Sequence, residues 1–131
     1  MKRVKIEISR ELCSNSPGII WNLIGTADGL SKWIADDIQQ DGDRLTFTWG
    51  NVWSHHETRQ ATIVQVKKQK LFRFKWDDEE EGTYTELSME RSVITNDYML
   101  TITDFAEPGD EDGLRDIWDD NLEKLHHSTG L

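Results

Sequence analysis

The sequence predicts an α+β fold: a curved antiparallel sheet of six to seven strands, with two short helices after strand 1 and a long carboxy-terminal helix on its concave face. Between residues 36 and 105, runs with apolar residues at every second position alternate with turn-forming residues, as in an antiparallel meander. After Glu107-Pro108-Gly109 the pattern becomes that of an amphipathic helix. Its apolar stripe must lie on the sheet, and a cavity between the two is expected. The stripe consists of Leu114, Ile117, Trp118, Asn121 and Leu125.

Length and charge limit the classes of function. The 131 residues are expected to form one domain, residues 1–131. With 25 acidic and 15 basic side chains the net charge is −10, so nucleic acid is not expected as a partner, since its phosphates would be repelled. The single cysteine, Cys13, excludes an internal disulfide and fits a reducing compartment. No apolar run has the length of a signal-peptide core or a membrane helix, so a cytoplasmic location without membrane insertion is expected.

The amino-terminal third predicts one strand and two short helices. Apolar and charged or polar residues alternate over residues 4–9, which predicts a strand with one buried face. Ser16 is a suitable N-cap and Pro17 a suitable first residue for a helix that ends at Gly25. Residues 28–34 predict a second short helix. The side chains that it turns inward are Leu30, Trp33 and Ile34.

Five turn sequences divide the following segment into six strands. Their residues suit hairpin turns, and they lie at residues 41–43, 50–51, 67–70, 77–82 and 95–97. Apolar side chains share one face in two of the strands: Leu45, Phe47 and Trp49 in one, and Phe72, Phe74 and Trp76 in the other. A sheet with one buried and one wet face is therefore predicted. No helical crossover separates these strands, which argues against a parallel α/β fold.

This order of elements, together with five sequence segments, resembles a known family. The segments are Ile20-Trp21-Asn22-Leu23, Gly29-Leu30-Ser31-Lys32-Trp33, Phe72-Arg73-Phe74-Lys75-Trp76, residues 100–105, and Ile117-Trp118 with Leu122 and Leu125. The chain resembles the START-like superfamily, also called the helix-grip or SRPBCC fold. Within it, the chain is most similar to small bacterial proteins of the branch named for homology to the activator of the heat-shock-protein-90 ATPase. Superfamily relatives bind lipids, hormones or polyketides in a cavity, so the resemblance implies a pocket.

The tryptophans indicate where such a pocket would lie. Trp21 and Trp118 are on helix faces that must be buried, which favours core packing for both. Tryptophans on strands can instead line a cavity, with indole N–H groups that orient a polar end of a ligand. The candidate ligand-binding residues are Trp33, Trp49, Trp53, Phe74, Trp76, Tyr84, Asp104 and Trp118.

Asp104 follows Leu100 and Ile102 on the same face of a predicted strand. If that face is the concave one, its carboxyl lies in an apolar cavity and needs a partner or takes a raised pKa. If the face is the wet one, or if Asp104 caps the turn before the helix, the carboxyl is ordinary. The alternation does not choose between the faces. Glu86 poses the same question.

Metal sites and nucleophiles are not predicted. His55, His56 and Glu57 are adjacent on a strand, so they point to alternate faces, and the two histidines cannot both enter one metal site without a bulge. Cys13 has no identifiable base, and the chain contains neither a Gly-x-Ser-x-Gly turn nor a Gly-rich phosphate loop. We therefore expect no metal, no cofactor and no catalytic residue.

The sequence favours a non-catalytic binding module for a small apolar or amphipathic ligand. The alternative is a protein-interaction module, chaperone-cofactor-like, in which the acidic terminal helix or the basic amino-terminal strand docks a protein partner. An enzyme that uses Asp104 or Glu86 as a general base in the cavity is the least favoured hypothesis. The face that Asp104 occupies bears on all three.

Overall fold

The computed structural model describes residues 3–50 and 56–131. Within these two ranges, seven strands form one antiparallel sheet in the spatial order β1-β7-β6-β5-β4-β3-β2, which confirms the predicted α+β architecture. None of the helices in these ranges has the length and apolar composition needed to cross a membrane. In chain order the elements are β1 (Val4–Glu11), α1 (Pro17–Ile24), α2 (Ala27–Leu30), β2 (Asp37–Asp41), β3 (Arg44–Gly50), β4 (His56–Lys67), β5 (Leu71–Trp76), β6 (Thr85–Arg91), β7 (Tyr98–Ala106) and α3 (Glu111–Thr129).

The strand connections fall where turn-forming residues predicted them. Gly42, between β2 and β3, and Asn96, between β6 and β7, adopt positive φ angles of 62° and 69°. Gly enters this region without a side-chain clash, and Asn tolerates it better than most residues. The backbone of these two turns thus accounts for the residue types found there. The predicted turn at residues 50–51 extends into a segment outside the described ranges.

The second short helix ends earlier than the sequence predicts. Helix α2 stops at Leu30, and residues 31–34 continue as a turn. Trp33 and Ile34 are buried all the same, with 0% and 6% of their surface exposed. A turn is enough to bury Trp33, because its indole Nε1 donates a hydrogen bond of 2.9 Å to the carbonyl of Leu23 in α1.

Helices α1 and α2 are in close backbone contact at Gly29. A Cβ atom there would overlap the carbonyl oxygen of Asn22 and the Cα of Leu23, and backbone atoms cannot move aside as a flexible side chain can. We expect Gly29→Ala to lower the free energy of unfolding by about 1 to 3 kcal/mol in urea denaturation. Gly18→Ala in α1, with open space around its Cβ, is the matched control and should be neutral or slightly stabilising. Equal losses in both variants would contradict this contact.

Alternate residues of the strands build an aromatic cluster on the concave face. The ring of Phe47 lies 4.7 Å from that of Trp76 and 5.4 Å from that of Phe74, between ring centres. Phe74 and Trp76 meet edge to face at 5.3 Å. Such pairs stabilise by about 0.5 to 1.5 kcal/mol beyond the area that they bury. Phe74 and Trp76 of this cluster lie across a cavity from α3.

Helix α3 carries two adjacent apolar stripes, and one of them is fully buried. The buried stripe joins the core and consists of Trp118, Leu122 and Leu125. The second stripe is formed by Leu114 and Ile117, and the polar side chain of Asn121 continues it. Ile117 is 57% exposed, so the prediction that it is buried with Trp118 is wrong. The spacing of three and four residues produces both stripes, and the second borders a cavity instead of the packed core.

Candidate functional site

A cavity of about 350 Å³ lies between the concave face of the sheet and helix α3. Its apolar lining consists of Ile34, Trp49, Phe74, Trp76, Leu114, Ile117 and Trp118. Its polar lining consists of Glu57, Arg59, Asp104 and Asn121. Small-molecule sites are commonly of this size, about 300 to 1,000 Å³, with apolar walls and a few polar groups.

Asp104 lies on the concave face of β7 and is 6% exposed, which answers the question that the alternation left open. Its Oδ2 accepts a hydrogen bond of 2.9 Å from Nε1 of Trp118 on α3. Its Oδ1 accepts from Oγ1 of Thr85 on β6 at 3.0 Å and from the backbone N–H of Phe105 at 2.8 Å. One carboxyl therefore ties together two neighbouring strands and the terminal helix.

Burial sets the protonation behaviour of this carboxyl. It raises the pKa of Asp104 above its ordinary value of 3.8, because a charged carboxylate is poorly solvated there. The hydrogen bonds from Trp118, Phe105 and Thr85 act against this rise, and the negative charge of Glu79 adds to it. The net direction is upward, so the neutral acid is favoured more than in an exposed aspartate.

Arg59 on β4 contributes a guanidinium group to the lining of the cavity. It lies 4.0 Å above the ring of Trp76, and its Nη2 donates to Asp78 at 2.8 Å and to Glu79 at 3.2 Å. Burial lowers the pKa of Arg59, but the hydrogen bonds and charges of these two carboxylates outweigh it and raise that pKa. The hydrogen bond from Arg59 in turn lowers the pKa of Asp78. Arg59 is thus a fixed positive charge already held by two negative ones.

Arg59 lines the cavity although it is not among the site residues predicted from the sequence. Residues 56–60 are all polar, so the strand shows no alternation at this point. The position of Arg59 could have been predicted from Ala61, an apolar residue that is fully buried opposite Leu45. Counting back from Ala61 in steps of two places Arg59 and Glu57 on the same concave face, as the cavity lining has them.

Five of the predicted site residues line this one cavity: Trp49, Phe74, Trp76, Asp104 and Trp118. Two of their indole N–H groups already have acceptors within the chain. Nε1 of Trp49 donates to the carbonyl of Ile34 at 3.0 Å, and Nε1 of Trp118 donates to Asp104. These two N–H groups orient the rings of the wall.

Two described residues of the predicted site, Trp33 and Tyr84, do not line the cavity. Trp33 is fully buried behind it, with its ring 6.1 Å from that of Trp118. Tyr84 lies on the convex face, where its ring contacts Phe105 at 5.0 Å and the guanidinium of Arg73 at 4.0 Å. It points outward because Thr85, the next residue, points inward. Trp53 lies outside the described residues.

Glu86, the other carboxylate that the sequence suggested as a base, is placed by its contacts in β6. Glu86 lies on the convex face and accepts a hydrogen bond of 2.7 Å from Nη2 of Arg73, so the hypothesis that it is a base inside the cavity is wrong. His55 lies outside the described residues. Within the described ranges, no group of three or more His, Cys, Asp or Glu side chains is arranged to hold a metal ion.

Comparison with solved structures places this fold among known ones. The chain is similar to BfR322 from Bacteroides fragilis, with 38% identity, coverage of 97% of this chain and 91% of that one, and a TM-score of 0.65. It is also similar to the Aha1 dimer from Colwellia psychrerythraea, with 20% identity, coverage of 97% and 98%, and a TM-score of 0.71. SA2116 from Staphylococcus aureus, a protein of unknown function, has 12% identity, coverage of 97% and 93%, and a TM-score of 0.75.

The family of the chain is identified from its sequence. No curated protein matches the chain. The sequence model of the START-like superfamily domain matches residues 1–131. The helix α3 that lies on the concave face of a curved antiparallel sheet agrees with that match. The chain belongs to the START-like superfamily.

Proposed function

We propose that this START-like domain is a non-catalytic binding module that holds a small apolar or amphipathic molecule between the sheet and α3. The observation that carries the proposal is the second stripe of α3, where Leu114 and Ile117 turn apolar surface toward the cavity. Covering apolar surface stabilises by roughly 25 cal/mol per Å². A ligand with an apolar body would supply this cover.

The polar groups of the cavity favour binding over catalysis. Asp104 accepts three hydrogen bonds that hold β6, β7 and α3 together, so its carboxyl is fixed in place by contacts of the fold. Arg59 is held by Asp78 and Glu79. Groups fixed in this way are suited to orienting a ligand.

The proposal can be tested by narrowing the mouth of the cavity. Ile117→Trp enlarges a side chain that is already 57% exposed, so the fold should tolerate it. In NMR titrations, the uncharged probe 4-phenylbutan-1-ol should bind the parent protein with a dissociation constant of about 1 mM or below. Ile117→Trp should bind it about tenfold more weakly, because the added ring occupies part of the cavity.

The matched control is Glu123→Trp, which adds the same ring to an exposed position of α3 away from the cavity. It should leave the affinity for the probe unchanged. If the parent does not bind, or if all three proteins bind equally well, the cavity is not the binding site and the proposal is refuted.

Docking of a protein partner is the second candidate function. It is favoured by an exposed row of like charges on α3, at Asp112, Asp116 and Asp120. Carboxylates spaced by four residues weaken the helix that carries them, so helix stability does not account for this row. The basic amino-terminal strand is less suited, since Arg3 and Arg10 already form ion pairs within the chain. If the cavity bound no probe, this candidate would be preferred.

A further inference from the structure

Asp104 is a buried carboxyl without a positively charged partner among the described residues. Its three donors are an indole N–H, a hydroxyl and a backbone N–H, all of them uncharged. In the part of the chain that the structure describes, no Lys, Arg or His side chain forms an ion pair with it. Buried charges are ordinarily paired, because an isolated carboxylate is costly to desolvate. The adjoining cavity is the route by which a positive charge can reach it.

Arg59 does not supply this positive charge. Asp78 and Glu79 hold its guanidinium through hydrogen bonds of 2.8 Å and 3.2 Å, and Arg3 pairs with Glu79 at 3.6 Å, so these two cations and two carboxylates balance one another. Glu57 adds a further carboxylate to the lining. The polar end of the cavity therefore attracts a cation more than an anion.

Among the residues that the structure describes, one acceptor position of Asp104 has no donor. Its Oδ1 accepts two hydrogen bonds, from Thr85 and Phe105, whereas its Oδ2 accepts one, from Trp118. Each carboxylate oxygen can accept two. Because Asp104 borders the cavity, a donor on a ligand can occupy the remaining position on Oδ2.

The indoles of the wall suit the same kind of ligand. Trp49, Trp76 and Trp118 line the cavity, and the face of an indole ring attracts cations. The guanidinium of Arg59 already lies 4.0 Å above the ring of Trp76. The same attraction would act on a positively charged ligand beside Trp49 or Trp118.

We propose that the ligand of this cavity is an amphipathic amine. Its protonated nitrogen donates a hydrogen bond to Oδ2 of Asp104, and its apolar body packs between Trp49 and the Leu114 and Ile117 side chains of α3. The inference rests on the proposed binding function and adds the sign of the charge that the ligand carries. A primary, secondary or tertiary ammonium has the required N–H, whereas a quaternary ammonium does not.

Three probes with one apolar body separate the effect of charge from that of the body. They are 4-phenylbutylamine, 4-phenylbutan-1-ol and 4-phenylbutyrate. In NMR titrations at neutral pH, the amine should bind the parent about tenfold more tightly than the alcohol, and the carboxylate more weakly than the alcohol. The Nε1–H resonance of Trp118 should shift more with the amine than with the alcohol, because the amine engages the acceptor of that N–H.

Asp104→Asn removes the charge and keeps the size of the side chain. It should reduce the affinity for the amine to about that of the alcohol and change the affinity for the alcohol by about twofold or less. Should this variant fail to fold, the shift of the Trp118 resonance in the parent decides the question. An amine preference that persists in Asp104→Asn would overturn the assignment of Asp104.

The probes also separate failure of this inference from failure of the binding function. Tighter binding of the carboxylate would overturn the amine and indicate Arg59 as the anchor of an anion. Equal affinities of the three probes would exclude any role of ligand charge. In both cases the cavity binds and the proposed function stands. Failure of all three probes to bind would refute both proposals.

Discussion

Replacing Trp118 with alanine is expected to lower the free energy of unfolding by about 3 to 5 kcal/mol, a large share of the stability of a domain of this size. The side chain is 5% exposed and packs near Trp33 in the core, so its removal enlarges an existing cavity. It also takes the indole donor away from Asp104. Urea denaturation with tryptophan-independent circular dichroism measures the loss.

Two surface variants of α3 serve as controls for Trp118→Ala. Asp120→Ala, on the exposed face of α3, should change stability by about 0.5 kcal/mol or less. Asp119→Ala also removes an exposed ion pair of 3.7 Å with Arg10, which is worth about 1 kcal/mol at most. If Trp118→Ala were as stable as these variants, α3 would not be held on the sheet through its buried stripe.

The sequence predicts the elements of this fold because their signals are local. The turn residues and the alternation within strands identify the meander from Asp36 to Phe105, and the turn at Glu107-Pro108-Gly109 marks the start of the terminal helix. Each signal depends on the backbone preferences of a few adjacent residues. The length of α2 is the exception, because the buried hydrogen bond of Trp33 to α1 directs that ring inward without a further helical turn.

The cavity is harder to predict, because it depends on which face of each strand is concave. In β6 the apolar residues Leu87 and Met89 mark the inner face, so Glu86 could have been placed outside. Asp104 continues the inner face of β7, and its partner Trp118 comes from a helix 14 residues further along the chain. Only the packing of α3 on the sheet brings these two side chains together.

Replacing Asp104 with alanine should cost about 2 to 4 kcal/mol of unfolding free energy. Donors on Trp118, Thr85 and Phe105 lose their acceptor together. A buried donor without an acceptor costs about 1 to 3 kcal/mol. Water entering the adjacent cavity can satisfy some of them, and removal of a desolvated carboxyl offsets part of the loss. A loss below about 0.5 kcal/mol in urea denaturation would contradict a structural role for this carboxyl.

Asparagine tests the hydrogen bond between Asp104 and Trp118 directly. An amide has one acceptor oxygen, whereas the donors of Trp118 and of Thr85 reach different oxygens of Asp104. Asp104→Asn therefore places an NH₂ group against an N–H, which should cost about 1 to 3 kcal/mol. In a Trp118→Phe background that N–H is absent, so the same substitution should cost about 1 kcal/mol or less. Strictly additive losses would show that the hydrogen bond does not form.

The raised pKa of Asp104 gives its contribution to stability a definite dependence on pH. The folded protein binds this proton more tightly than the unfolded chain does, because burial raises the pKa above 3.8. The resulting stabilisation is fully present below pH 3.8 and is lost as the pH rises through the folded pKa. Asp78 behaves oppositely, since the hydrogen bond from Arg59 lowers its pKa, and its contribution is lost as the pH falls.

Comparison of the parent with Asp104→Asn isolates this contribution. Both proteins keep the other charged groups around the cavity and its polar end, which are Arg3, Glu57, Arg59, Asp78, Glu79, Glu107 and Asp110. The effects of these groups on stability therefore largely cancel in the difference. The excess stability of the parent over Asp104→Asn, measured by urea denaturation from acid to neutral pH, should shrink as the pH rises. An excess that grows with pH would mean that the fold favours the carboxylate, and the buried-acid interpretation of Asp104 would then be wrong.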